Sequence, residues 1–209
     1  MLTIGSISEI IRFTQNDKEK KARNDNKGND SELHIWLKGG NKLFMLNTDI
    51  KAWLLPVQPL EGESLSHFLG RVRRKNYLSP NALGELAGIG GVVARWEKFR
   101  HNPFPSDEEL TALGNLLGLR LFQLKAMLPS EPMKLEPIRL CGACYGESPH
   151  HRIEWQYKSR WKCDRHDLKL LCKCPNCGAR FKIPSLWDFG KCDRCGLTFF
   201  EMTYWQKGL

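Results

Sequence analysis

Apolar positions first fall into a regular pattern after Ser64. Leu65, Phe68, Leu69 and Val72 recur at i, i+3, i+4 and i+7, which gathers them on one face of a helix. The next helix is punctuated at both ends: Ser79 suits the N-cap, Pro80 the first helical position and Gly88 the stop. A Gly-Ile-Gly-Gly turn leads to a third helix over 92–99. There Trp96 lies among the apolar positions Val92 and Phe99 and is expected in the core. Residues 101–105 break the chain. Ser106 and Glu109 then make a capping box for a fourth helix, which carries Leu110, Leu113 and Leu117 and ends near Gly118. Residues 119–128 can form a fifth. The pattern predicts an all-helical domain over 63–130, and its helices 79–87 and 92–99 have the outline of a helix-turn-helix.

The flanking stretches lack this period. Residues 14–32 are charged, with almost no apolar side chains, and cannot bury enough surface to fold alone. Residues 1–44 as a whole read as a poorly ordered extension, in which 33–45 offers a short strand pair. Residues 45–62 include Pro56 and Pro59 and read as an extended tail. The tail holds Trp53, Leu54 and Leu55 together, an apolar cluster suited to binding a partner. Three prolines over 129–137 mark a linker, and beyond it short apolar stretches alternate with cysteine pairs. The expected fold class is small α+β and multi-module: the helix-turn-helix domain, a first zinc module over 131–172 and a second zinc-ribbon module over 173–209.

Eight cysteines carry the clearest chemistry. Cys141-Gly-Ala-Cys144 is followed by Cys163-Asp-Arg-His166, and Cys174-Pro-Asn-Cys177 by Cys192-Asp-Arg-Cys195. Ligands two residues apart present two side chains to one ion, and two such pairs complete a tetrahedron. The spacing therefore predicts two zinc ions, one on Cys141, Cys144, Cys163 and His166 and one on Cys174, Cys177, Cys192 and Cys195. His150 and His151 compete with His166 as fourth ligand; His166 is preferred because it repeats the two-residue gap. Cys172 is left over, either a small buried residue or a competitor of Cys174. Four protein ligands leave no position for water, so these sites read as structural rather than catalytic.

Charge adds a partner class. The chain has 32 Lys and Arg against 23 Asp and Glu, a formal +9. Seven ligand thiolates and two divalent ions would lower that by three, to near +6. A modest basic excess favours weak, salt-sensitive contact with nucleic acid. Arg71, Arg73, Arg74 and Lys75 close the first helix, and Arg95 and Lys98 line the third. These six are the candidate phosphate contacts, set against the alternative of a solvated basic face. Catalytic patterns are absent: Gly39-Gly40 lacks the Lys-Ser/Thr of a phosphate loop, and Ser64 with His67 reads as a helix start rather than a nucleophile and base. No small-molecule substrate is implied. No apolar run is long enough to span a membrane, and Glu9 interrupts the N-terminal stretch, so a cytoplasmic location is expected.

Together these residues resemble the TniQ family. The likeness lies in Glu61-Gly-Glu-Ser-Leu-Ser-His-Phe-Leu-Gly-Arg71, Leu86-Ala-Gly-Ile-Gly90, Arg95-Trp-Glu97 and Pro137-Ile-Arg-Leu-Cys-Gly-Ala-Cys-Tyr145. It continues through His151-Arg-Ile-Glu-Trp-Gln-Tyr-Lys158 and Trp161-Lys-Cys-Asp-Arg-His166. It runs from about Trp53 onward and is greatest to the short TniQ proteins of type V-K CRISPR-associated transposons. The resemblance implies a bacterial, non-enzymatic target-selection factor. Such a factor links a TnsC-type AAA+ ATPase filament to a cleavage-inactive, RNA-guided Cas-type effector and touches its trans-activating RNA. Residues 1–44 have no counterpart in that resemblance, so Met45 is expected to suffice as a start. The competing expectation is a zinc-containing transcription regulator that reads DNA with the 79–99 helix pair.

Overall fold

The structure, a computed structural model, describes residues 33–36, 42–45 and 53–208. The chain divides into two compact units, residues 1–54 and 55–209. In the first, strands β1 (Leu33–Trp36) and β2 (Lys42–Met45) pair antiparallel, with Leu33 opposite Met45, as the strand pair expected over 33–45. The charged stretch 14–32 lies outside the described residues.

In the second unit, helix α1 (Leu65–Lys75) begins on Ser64, whose hydroxyl accepts from the His67 amide. Leu65, Phe68, Leu69 and Val72 are all buried, as their spacing requires. Helix α2 (Pro80–Leu86) is capped by the Ser79 hydroxyl, which accepts from the Ala82 amide. Helix α3 (Val92–Trp96) stops earlier than the expected Phe99. The chain tightens there: the Lys98 amide bonds to Arg95 and that of Phe99 to Trp96, and Phe99 adopts a φ of 56°. Trp96 is fully buried. Helix α4 (Asp107–Leu117) carries the predicted capping box between Ser106 and Glu109. Helix α5 (Leu121–Lys125) is shorter than the stretch 119–128 allowed.

The cysteine-rich half is built from short pieces. These are helix α6 (Gly142–Glu147), the strand pair β3 (Lys162–Cys163) and β4 (Leu168–Lys169), and three 3-10 turns, Ile153–Gln156, Pro184–Leu186 and Glu201–Trp205. Its core is aromatic. Trp187 packs edge-on against Phe199 at 4.7 Å between ring centres and against His151 at 5.3 Å, and His151 meets Trp155 at 5.3 Å. Phe99 reaches into the same cluster from beyond α3. Such edge-to-face pairs add to the burial of the rings themselves.

Helices and cysteine-rich pieces are joined through the backbone. The Ser64 amide donates to His151 O and the Ile153 amide to Gly62 O, with Glu63 bridged antiparallel to Arg152 between them. Ser66 donates its hydroxyl to Glu97 O at 2.6 Å and accepts from the Ser185 amide at 3.3 Å, so one side chain ties α1 to both neighbours. At Gly70 the close approach needs a missing side chain, since a Cβ there would sit 2.3 Å from Ser185 O.

Candidate metal centres

The eight cysteine and histidine ligands expected from the sequence come together as two groups of four. In each, the ligand atoms all lie within 4.8 Å of one another. In the first group Cys144 Sγ is 3.4 Å from Cys163 Sγ. His166 Nδ1 is 3.2 Å from Cys144 Sγ, 3.6 Å from Cys163 Sγ and 3.8 Å from Cys141 Sγ. In the second, Cys174 and Cys195 sulfurs are 3.6 Å apart and those of Cys177 and Cys192 3.5 Å. A tetrahedral ion with bonds of about 2.3 Å to sulfur and 2.0 Å to nitrogen separates its ligands by roughly 3.5–3.8 Å. Each group thus has the size and chemistry to hold one metal ion, an arrangement compatible with zinc-ribbon modules.

Three of the four two-residue gaps are built alike. In Cys174–Cys177 the Gly178 amide bonds to Cys174 O and the Cys174 amide to Ala179 O. In Cys192–Cys195 the Gly196 amide bonds to Cys192 O and the Cys192 amide to Leu197 O. Gly178 and Gly196 take positive φ, 73° and 76°, where a side chain is disfavoured. Each turn is flanked by an antiparallel bridge, Lys173 to Arg180 and Lys191 to Thr198. Cys163–His166 follows the same course, with the Asp167 amide on Cys163 O and Asp167 at φ 53° in the glycine position. Aspartate tolerates that conformation better than most side chains.

Cys141–Cys144 differs. A tight turn is expected from its spacing, but Cys141 instead caps α6 and Cys144 lies one helical turn on, with the Tyr145 amide bonded to Cys141 O. Where the other three turns carry Gly178, Gly196 or Asp167 at positive φ, this one has Tyr145 within the helix.

Without a cation the clustered thiols cannot all ionise. Hydrogen bonding with Cys141 and Cys163 drives Cys144 far up, and burial pushes Cys174 up to about 12. A bound ion reverses this, because thiolate is the ligating form.

His150 and His151 are not ligands. His150 Nε2 lies 3.1 Å from Glu61 O, and His151 Nδ1 is 3.0 Å from Ser64 Oγ. Cys172 belongs to neither group and is exposed, not buried as one alternative held. Sequence reasoning does not single out Glu147, which ends α6 beside the first group; its position three residues after Cys144 was the available clue.

The candidate phosphate contacts fare differently. Arg71 grips the buried Glu63 carboxylate through Nε at 2.8 Å and Nη2 at 2.5 Å. Arg73 forks onto Glu97, and Arg74 donates to Ser185 O and pairs with Asp188 at 2.9 Å. Lys75 reaches Pro56 O at 2.9 Å. Arg95 is partly buried and Lys98 exposed. The three arginines of the α1 run are thus held by the protein's own acidic and carbonyl groups, while Lys75 remains exposed. The partner cluster is more open: Trp53 and Leu55 are 51% and 53% exposed, and Leu54 is partly buried. From Leu55 onward the tail is tied to α1 by Asn76, which bonds both the amide and the carbonyl of Leu55. Residues 46–52 of the expected tail lie outside the described residues.

Among the described residues, no helix is long and apolar enough to cross a membrane. No family model matches the sequence, and no curated protein matches it.

Proposed function

We propose that both centres hold zinc and that the chain is a TniQ-type adaptor. In this reading a non-enzymatic target-selection factor for transposition couples a TnsC-type AAA+ ATPase filament to an RNA-guided Cas-type effector. The observation that carries it is where the family-like residues meet. Glu63, in the first resembling run, is bridged to Arg152 in the fifth, and Ser66, also in the first, bonds Glu97 in the third. Runs up to about ninety residues apart in sequence are thus the joints of one unit, which is what a shared family fold requires of its recurring residues.

Zinc is the ion these donor sets favour. Tetrahedral sites of four thiolates, or three thiolates and an imidazole, suit zinc and close its coordination shell. The helix pair α2–α3 then serves as a helix-turn-helix used for protein contact, a role the shape permits. Residues 53–55 are the ATPase anchor, with Trp53 at its centre. Tryptophan is enriched among residues that dominate interface energies, where truncation commonly costs about 2 kcal/mol or more.

Co-sedimentation with ATP-bound TnsC-type filaments tests this. Wild-type protein should pellet with the filament. Trp53→Ala should bind roughly 30-fold more weakly, the equivalent of about 2 kcal/mol, with little change in melting temperature. Undiminished binding by Trp53→Ala would remove Trp53 as anchor, and absence of binding by the wild-type protein would sink the adaptor reading. A tight, sequence-specific footprint on duplex DNA would favour the transcription-regulator alternative instead.

A further inference from the structure

We infer that Glu147 is a positioning residue for the first zinc centre, holding His166 in the tautomer that binds through Nδ1. This rests on the zinc reading of that centre. His166 points Nδ1 at three sulfurs, so its other nitrogen must carry the proton. That nitrogen, Nε2, lies 2.9 Å from Glu147 Oε1. An ionised carboxylate only accepts, so it selects the Nε2–H form and fixes the plane of the ring. The second carboxylate oxygen takes Arg165 Nη2 at 3.0 Å, which keeps the carboxylate turned toward the histidine.

The placement also explains how one side chain serves the whole ligand set. Glu147 ends α6, the helix that Cys141 caps and that carries Cys144; at three residues' separation it shares a face with Cys144. Arg165 and His166 belong to the opposing turn with Cys163. The carboxylate therefore spans the two halves that the ion joins. The second centre has only thiolate ligands and no histidine to orient. It is an internal control within the same chain.

The test uses the full chain loaded with cobalt(II), whose absorption distinguishes a site of three sulfurs and one nitrogen from one of four sulfurs. Zinc displacement then reports each centre separately. Glu147→Ala should weaken zinc binding at the histidine-containing centre by about 10–100-fold and leave the four-thiolate centre unchanged. Glu147→Gln, which keeps an accepting oxygen, should fall between. Equal affinity of Glu147→Ala and wild type at the first centre would overturn the inference. The wild-type protein gives a test free of any folding defect: nitrogen-15 spectra should show His166 with metal on Nδ1 and hydrogen on Nε2, and metal on Nε2 would refute it. Metal content of the wild-type chain separates the two claims. Two ions with no effect of Glu147 defeat only the positioning role, whereas no ion at the first centre defeats the zinc reading and this inference together.

Discussion

Glu97 is 3% exposed, and its charge would be costly to bury were Arg73 not forked onto it. A buried pair of this kind contributes little over an apolar pair of similar volume, but removing one partner strands a charge and costs about 3–5 kcal/mol. Glu63 follows the same logic: burial would raise its pKa, yet hydrogen bonds from His67 and Arg71 outweigh that and hold it low. His101 is the opposite case. Burial, with repulsion from Arg95, lowers its pKa from the ordinary 6.5 to about 4, so the folded protein keeps the imidazole neutral. In the unfolded chain it would take up a proton near pH 6.5. The stabilising contribution is therefore complete above that value and is lost as pH falls toward 4. His101→Phe, which keeps a ring beside Phe99 and Phe104, should lose less melting temperature between pH 7 and pH 5 than wild type does, both in excess zinc. Protonation of the metal ligands is common to both proteins and cancels in the comparison. Equal losses would show that the His101 pKa is not lowered by folding.

At the scale of elements, helix starts and metal ligands were legible because their chemistry is local. A serine hydroxyl three residues before its target amide, or two sulfurs two residues apart, carries its geometry in the spacing. Helix ends were less legible: α3 stops at Trp96 because Phe99 turns into the core of the cysteine-rich half, a contact no local pattern reports. The fate of the arginines was also hidden, since Ser185 and Asp188, which Arg74 needs, lie more than a hundred residues on. Two glycines separate these kinds of constraint. At Gly178 an added Cβ meets nothing within 4 Å, so only the backbone resists. Gly178→Ala should cost about 1–2 kcal/mol, and Gly178→Asn less. At Gly70 the obstacle is the backbone of Ser185, and Gly70→Ala should cost about 3 kcal/mol through forced separation of α1 from its neighbour. Thermal melts of the three variants in excess zinc should rank Gly70→Ala lowest; a higher melting temperature for Gly70→Ala than for Gly178→Ala would contradict the packing argument.

For the molecule as a whole, the formal charge of +9 overstates what a phosphate backbone can use. Arg71, Arg73 and Arg74 are internally paired, which leaves few of the candidate contacts free. Non-specific binding weakens with salt in proportion to the phosphates neutralised. With contacts at Lys75, Arg95 and Lys98 alone, the slope of log K against log salt on duplex DNA should be no steeper than about −3. A slope near −6 would mean that the arginines of α1 leave their internal partners on binding. The same internal pairing has a temporal side. Arg74 must wait 111 residues for the carbonyl of Ser185. At about 5–20 residues per second, Arg74 is synthesised roughly 6–22 seconds before that partner is made. Throughout that interval Arg74 and the Gly70 face of the nascent helix, which the backbone of Ser185 closes in the finished fold, lack their cover. That face is therefore the last part of α1 to be closed during synthesis, after its contacts with Glu63 and Glu97 can already have formed.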